Sequence, residues 1–273
     1  MDLATTQRLA DLNRRFYDEH AVAFAHRRAT PQPGIARVLD QIPPGAHVLE
    51  IGCGDGKTAR RLATNSDIAS YLGLDLSPAL LDKARAGLLP PPPPSAEKRG
   101  AVEGVVSPSP VGARPDGGGG RGWGYDFVLA DLTSPDWPRV LPARPFTCIL
   151  AFSVFHHLPG FAARARTLQT LAACLAPGGR LAISNWQFTR SERLRRRIVP
   201  WSTIGLAESD VEQDDYLLTW ERNHQRGLRY VHLLDAAEAR RLAENAGLTI
   251  AEIFQSDGLS GDLADYVIMR KSE

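Results

Sequence analysis

Residues 50–56, Glu50-Ile51-Gly52-Cys53-Gly54-Asp55-Gly56, decide how this chain reads. They end an apolar run, AHVLEIG (46–52), with the composition of a buried strand, and lead into an amphipathic helix pattern from Lys57. Glycine at three alternate positions lets the backbone turn tightly and approach a ligand with no side chain between. The following helix points free N–H groups and partial positive charge at whatever lies in that turn. A diphosphate-binding dinucleotide loop would read GxGxxG, with its third glycine at position 57, which is Lys57 here. The spacing is GxGxG instead, and the strand ends in an acid, Glu50, expected to face the ligand. An acid there disfavours a diphosphate and suits a ligand with a cationic or amino end.

Outward from this stretch the pattern alternates. YLGLDL (71–76) precedes a helix announced by Ser77 as N-cap and Pro78 in the first turn. YDFVLADL (125–132), FTCILAFSVF (146–155) and GRLAISNW (179–186) are further apolar runs. A helix through 161–175, closed by Pro177, Gly178 and Gly179, separates the last two. Short apolar runs alternating with helices predict parallel βαβ units in a doubly wound α/β sheet with helices on both faces. Toward the C-terminus, Asp235 and Glu238 have capping-box spacing for a helix reaching Gly247. LTIAEIFQ (248–255) and LADYVIMR (263–270), joined by SDGLSGD, suit an antiparallel hairpin at the sheet's edge. Before the first strand, helices are predicted over roughly 5–27 and 34–41. Residues 89–124, with PPPPP, SPSP and GGGG, have almost no large apolar side chains to offset ordering entropy and read as a disordered surface insertion.

Two further acids stand at predicted strand tips. Asp75, 23 residues after Gly52, is placed to accept both ribose hydroxyl hydrogens; its alternative role is a first-turn helix charge beside Ser77. Asp131, which taken alone reads equally as a loop acid, can accept from an adenine amino group there, with the Leu132 N–H reaching a ring nitrogen.

These pieces in this order resemble the class I S-adenosylmethionine-dependent methyltransferase family over about residues 35–270, outside the insertion. The resemblance implies a Rossmann-like seven-stranded sheet with the last strand antiparallel. It also implies S-adenosylmethionine as cofactor, held by Glu50, Gly52, Cys53, Gly54, Gly56, Asp75, Leu76, Asp131 and Leu132, with Ser153 lining its methionine end. More narrowly, His156-His157, Asn185-Trp186-Gln187-Phe188, SERLRRRIVPW, DDYLLTW and Arg229-Tyr230-Val231-His232 are similar to the tRNA wobble-uridine carboxymethyl methyltransferases. That likeness implies a carboxylate acceptor on tRNA; a small-molecule acceptor and a noncatalytic nucleotide- or partner-binding module are the alternatives. On this reading residues 1–45 form a helical lid, 46–273 the methyltransferase domain, and about 187–234 a substrate cap.

A carboxylate acceptor is ionised at neutral pH and needs position rather than a general base. A bidentate arginine suits that task; Arg229 is the first candidate, its alternative being a helix-capping or surface arginine, and Arg193 the second. His156 and His157, after the fourth strand, could orient an acceptor or hold a neighbouring loop. No third ligand is spaced to join them, so no metal is expected. Arg190, Arg193, Arg195, Arg196 and Arg197 form the densest basic run, either a phosphate contact or a solvated face. Trp186, Trp201, Tyr216 and Trp220 are weighed as base-stacking platforms or packing. In bulk, 32 Lys and Arg against 31 Asp and Glu leave +1, so no overall pull toward nucleic acid or membrane follows. No apolar run has the length of a membrane span. The three cysteines lack CxxC spacing, and a reducing cytoplasm is the expected location.

Overall fold

The computed structural model describes residues 1–25, 32–88, 124–222 and 225–273. The reading of residues 89–124 as an insertion falls, but for Gly124, outside those residues, as does the end of the first predicted helix. Strand β1 (His47–Ile51) is buried almost throughout, which is why its sequence runs apolar without alternation. It pairs in parallel with β2 (Ser70–Asp75) and β4 (Phe146–Phe152). Strand β3 (Tyr125–Leu129) lies outside β2, and β5 (Leu175–Trp186) outside β4. Strand β10 (Ala264–Lys271) enters antiparallel between β5 and β9 (Leu248–Ser256), completing the seven-stranded order β3-β2-β1-β4-β5-β10-β9. The chain reverses direction across the sheet between β1 and β4. The crevice beyond the carboxyl ends of those strands is where such folds bind ligands.

Alternate residues of the strands feed cores on the two faces. Leu49, Ile51, Leu72 and Leu74 pack with Leu168 and Leu171 of α5 (Phe161–Cys174) and Leu242 of α7 (Ala236–Asn245). Val48, Tyr71 and Leu150 face Leu39 of α2 (Pro33–Leu39), Leu62 of α3 (Lys57–Asn65) and Leu81 and Ala84 of α4 (Pro78–Leu88). Each buried leucine contributes about 1.5–3 kcal/mol, so helices on both faces are held by the side chains that alternation assigns to them. Two local readings are corrected. Pro177-Gly178-Gly179 does not separate helix from strand but forms an irregularity inside β5, where pairing with β4 jumps from Phe146↔Leu175 to Cys148↔Arg180. The capping box at α7 is half made: Asp235 accepts the Glu238 N–H at 2.7 Å, but the Glu238 carboxylate is used elsewhere.

A second, antiparallel sheet joins β6 (Ile198–Val199), β7 (Asp215–Arg222) and β8 (Gln225–His232). The long helix α1 (Leu3–Ala25) packs on it, Leu9 meeting Trp201, Leu217 and Tyr230 in a separate small core. Buried ion pairs tie this layer to the main domain. Arg164 Nε meets Glu238 at 2.7 Å and its Nη2 meets Glu212 at 2.9 Å; His232 lies between Asp215 (2.7 Å) and Glu238 (2.6 Å). The Tyr230 hydroxyl donates to Asp215 at 2.6 Å. Glu238 is therefore diverted from its cap because a buried guanidinium and imidazole must be neutralised. Among the described residues no helix is long and apolar enough to cross a membrane.

Gly56 has φ +76°, and a Cβ there would stand 2.8 Å from the Ala84 Cβ. Gly56→Ala is expected to lower unfolding stability by about 1–3 kcal/mol, read by urea denaturation; a loss under about 0.5 kcal/mol would show that α3 and α4 can separate freely.

Candidate active site

Three strand tips and the glycine turn meet at the carboxyl end of the sheet. Gly52 (φ +66°) passes so close to Val154 that a Cβ would stand 2.4 Å from its methyl, while Gly54 (φ +55°) has open space where a Cβ would lie. Asp75, at the tip of β2, accepts the Gly54 N–H at 2.8 Å on one oxygen and the Ser77 N–H at 2.9 Å on the other. One carboxylate thus holds the turn after β1 to the start of α4. Burial raises its pKa, and the two N–H groups pull it back. Asp131 accepts the Thr133 N–H at 2.9 Å and its hydroxyl at 2.6 Å, and its other oxygen lies 3.5 Å from Arg14 of α1. Ser153, just past β4, takes a left-handed conformation (φ 60°), its N–H donating to the Ser184 carbonyl and hydroxyl.

These groups surround a cavity of about 460 Å³. Gly52, Gly54, Asp75, Leu76, Asp131, Leu132 and Ser153 line it, as do His156, His157, Arg193 and Arg229. Glu50, Cys53 and Gly56 do not, which corrects their placement. Glu50 is 3 % exposed and turned under the loop, where Thr58 donates to one oxygen at 2.8 Å and the Tyr71 hydroxyl to the other. It lies on the Val48 face of β1, so alternation directs it to the core rather than to the strand tip. Burial pushes its carboxyl up to about 8. The Cys53 side chain packs into the core on that face, and Gly56 serves the packing of α3 on α4.

The opposite wall is built by α1, the turn after β4, and β8. Asn13 is buried on α1; its amide donates to the His157 and Tyr230 carbonyls at 3.2 and 3.1 Å and accepts the Tyr230 N–H at 2.8 Å. The Tyr230 carbonyl takes the His157 Nδ1–H (3.2 Å), which leaves Nε2 to accept from the Tyr17 hydroxyl at 2.7 Å. Burial, then the Arg229 charge, lowers His157 to about 3, so the ring is neutral. His156 is held well below its ordinary value by burial, and its Nδ1 accepts the Trp186 N–H at 3.3 Å. Arg229 is buried beside Tyr17, its guanidinium 4.8 Å from the Trp186 ring and 5.6 Å from Phe16. Trp186 lines the cavity, whereas Trp201 and Trp220 are buried in packing and Tyr216 lies against Phe188. Arg190 pairs with Asp265 and Arg196 with Glu192, while Arg197 joins Arg193 on the cavity wall.

Sequence reading missed Asn13, Arg14, Tyr17, Arg197 and Asp257 as wall residues. Ala10, Asn13, Arg14 and Tyr17 recur at i, i+3, i+4 and i+7, a polar stripe on an amphipathic helix that could have been noticed. Asp257, in the hairpin before β10, gave no signal. It is left-handed (φ 72°), accepts the Gly34 N–H at 3.0 Å, and takes the Tyr266 hydroxyl at 2.7 Å.

The methyltransferase domain family model matches residues 23–253, and the chain belongs to that family. It is 30 % identical over 159 residues to the trans-aconitate 2-methyltransferase of Streptomyces avermitilis, covering 58 % of this chain and 46 % of that one. It is 27 % identical over 172 residues to the tRNA (carboxymethyluridine(34)-5-O)-methyltransferase ALKBH8 of Mus musculus, covering 62 % of this chain and 19 % of that protein. The matched region thus spans less than half of either relative. The fold superposes on the N-methyltransferase NodS of Bradyrhizobium japonicum, in complex with S-adenosyl-L-homocysteine, with TM-score 0.58 and 16 % identity, covering 96 % of this chain and all (100 %) of that one.

The raised Glu50 carboxyl has a stability consequence. Below its ordinary value of 4.5 the group is protonated folded and unfolded alike; between there and about 8 only the unfolded chain loses the proton. Stability therefore falls as pH rises through that window. Glu50→Gln should flatten this decline in urea titrations; an unchanged slope would mean that Glu50 is ionised in the folded protein.

Proposed function

We propose that the protein transfers the methyl group of S-adenosylmethionine to a carboxylate acceptor. The observation carrying this reading is the polarity of the cavity: Asp75 and Asp131 stand at the sheet's carboxyl end, where Lys57 and Arg14 are paired with Asp55 and Asp131, while Arg193, Arg197 and Arg229 line it from the region of the second sheet. Such a cavity suits a cationic cofactor against one wall and an anion against the other. Both curated relatives are named for acceptors that carry a carboxylate, which supports the same chemistry.

The residues present fit the cofactor. Asp75 uses one lone pair on each oxygen for backbone N–H groups and keeps others for two ribose hydroxyls. Gly52 and Gly54 let the backbone approach with no side chain, Asp131 and Leu132 stand where an adenine edge would lie, and Leu76 and Ser153 complete the wall. Glu50, Cys53 and Gly56 act at one remove by holding the turn. When bound, the sulfonium supplies a methyl group that is already electrophilic. The chain's task is then to orient the acceptor and exclude water. Arg229, flanked by Trp186 and Phe16 and beside Tyr17, orients the carboxylate. His157 has its two nitrogens committed to Tyr17 and Tyr230 and holds the wall rather than moving a proton. His156 supports Trp186. Helix α1 serves as the lid within 1–45, and the region about 187–234 as the cap. The carboxylate of a modified tRNA wobble uridine and that of a small metabolite both satisfy this chemistry.

Asp75→Ala should weaken S-adenosylmethionine binding by about 1–3 kcal/mol in calorimetry, because the ribose loses a charged acceptor; unchanged affinity would remove Asp75 from the cofactor site. Arg229→Ala should lower kcat/KM for a carboxylate acceptor by about a hundredfold while leaving cofactor affinity within about twofold, and Lys should rescue only part. Equal losses in both would assign Arg229 to folding. Turnover should be flat between about pH 6 and 7.5, since the carboxylate is already ionised and His157 neutral; a rise through that range would favour a hydroxyl or amine acceptor.

A further inference from the structure

Of the five arginines in the basic run, two pair with acids, two line the cavity, and Arg195 is exposed and, among the described residues, does neither. Arg190 forms a bidentate pair with Asp265 at 2.6 and 2.9 Å, and Arg196 pairs with Glu192. On the neighbouring strands Arg226 pairs with Glu221. These three are thus neutralised by the protein's own acids. Arg193, which is exposed, and Arg197, which is half-buried, line the cavity and make no ion pair with an acid among the described residues.

The fold holds these two where they are. They stand four residues apart across the end of α6 (Glu192–Arg195), a spacing that puts them on one side. Leu194 between them is buried against Phe188, Leu218 and Val231. The Arg197 carbonyl is tied to β7, accepting the Thr219 N–H at 2.8 Å and its hydroxyl at 3.2 Å. Burial, then the charges of Arg193 and Arg229, lowers the pKa of the Arg197 guanidinium. Like charges collected in a partly desolvated cleft repel one another until an anion lies among them. The acids that also line the cavity are engaged by other partners: Asp75 with Gly54 and Ser77, Asp131 with Thr133 and Arg14, Asp257 with Gly34 and Tyr266.

A single carboxylate is matched by one bidentate guanidinium. We infer that the acceptor is a small molecule bearing at least two anionic groups, one held at Arg229 and the other by Arg193 and Arg197, an inference that rests on the methyl-transfer reading above. A polynucleotide would instead draw on basic residues spread along the outer surface, and of the run's arginines outside the cavity Arg190 and Arg196 are already paired, which leaves Arg195.

The test uses the full chain with S-adenosyl-L-homocysteine bound, and calorimetry at fixed ionic strength with butanoate, glutarate and propane-1,2,3-tricarboxylate. Glutarate or the tricarboxylate should bind at least about tenfold tighter than butanoate, the effect of an added charge-assisted contact. In the double variant Arg193→Gln, Arg197→Gln that preference should vanish, with S-adenosyl-L-homocysteine affinity held within about twofold. Equal binding of the three acids, or a preference that survives the double variant, overturns the inference and leaves the methyl-transfer reading standing. Methyl transfer to unfractionated tRNA, with none to a di- or tricarboxylate, also overturns it in favour of RNA. Failure of S-adenosyl-L-homocysteine to bind the unmodified chain would instead remove the methyl-transfer reading and the inference with it.

Discussion

The structure depends on a backbone constraint at the end of its central strand. Gly52, Gly54 and Gly56 all take positive φ, at +66°, +55° and +76°. That conformation is costly for residues with a Cβ. At two of the three positions a Cβ would also collide, with Val154 at Gly52 and with Ala84 at Gly56. The turn is therefore set by close packing on two sides, and Gly54 is left facing the cavity. Asp75 completes the arrangement by taking the Gly54 N–H, so the turn and the tip of β2 are one hydrogen-bonded unit.

The cavity that results is electrically divided. Its acids belong to loops at the carboxyl end of the parallel sheet, and three of its arginines belong to the 193–229 region beside the second sheet. The division follows from topology: the sheet side supplies the acids, its lining cation, Lys57, being paired with Asp55, and the region beside the second sheet supplies the three arginines. In low dielectric surroundings such a separation is worth more than on a wetted surface. It also explains why an overall charge of only +1 hides a strongly polar site.

The second layer is held to the first by polar contacts that are almost entirely buried. Arg164, Glu238, His232, Asp215 and Tyr230 form one chain of ion pairs and hydrogen bonds between α5, α7 and the small sheet. From Tyr230 the contacts continue through Asn13 and His157 to Tyr17. Each member is satisfied by the next, and removal of one would leave a buried polar group without its partner. The wall that carries Arg229 is therefore rigid, because its backbone neighbour Tyr230 is pinned on both its N–H and its carbonyl.

What the sequence determined by itself was local and periodic. Apolar runs and their turns were sufficient for a doubly wound α/β sheet, the antiparallel hairpin, and the placing of Asp75, Asp131 and the glycine turn at strand tips, while the count of seven strands came from the family resemblance. Alternation within a strand and spacing along a helix are properties of short segments, and they survive folding. Only the tertiary structure decided which way Glu50 turns, because a residue near a strand end faces core or cleft according to register and neighbours, here Tyr71 and Thr58. It likewise decided that Glu238 serves Arg164 and His232 rather than its own helix cap, that Arg190 and Arg196 are neutralised while Arg193 and Arg197 face the cavity, and that Asn13 and Tyr17 build a wall with residues more than a hundred positions away. Apart from Glu192–Arg196 and His232–Glu238, those outcomes rest on contacts distant in sequence, and no short window along the chain contains both partners.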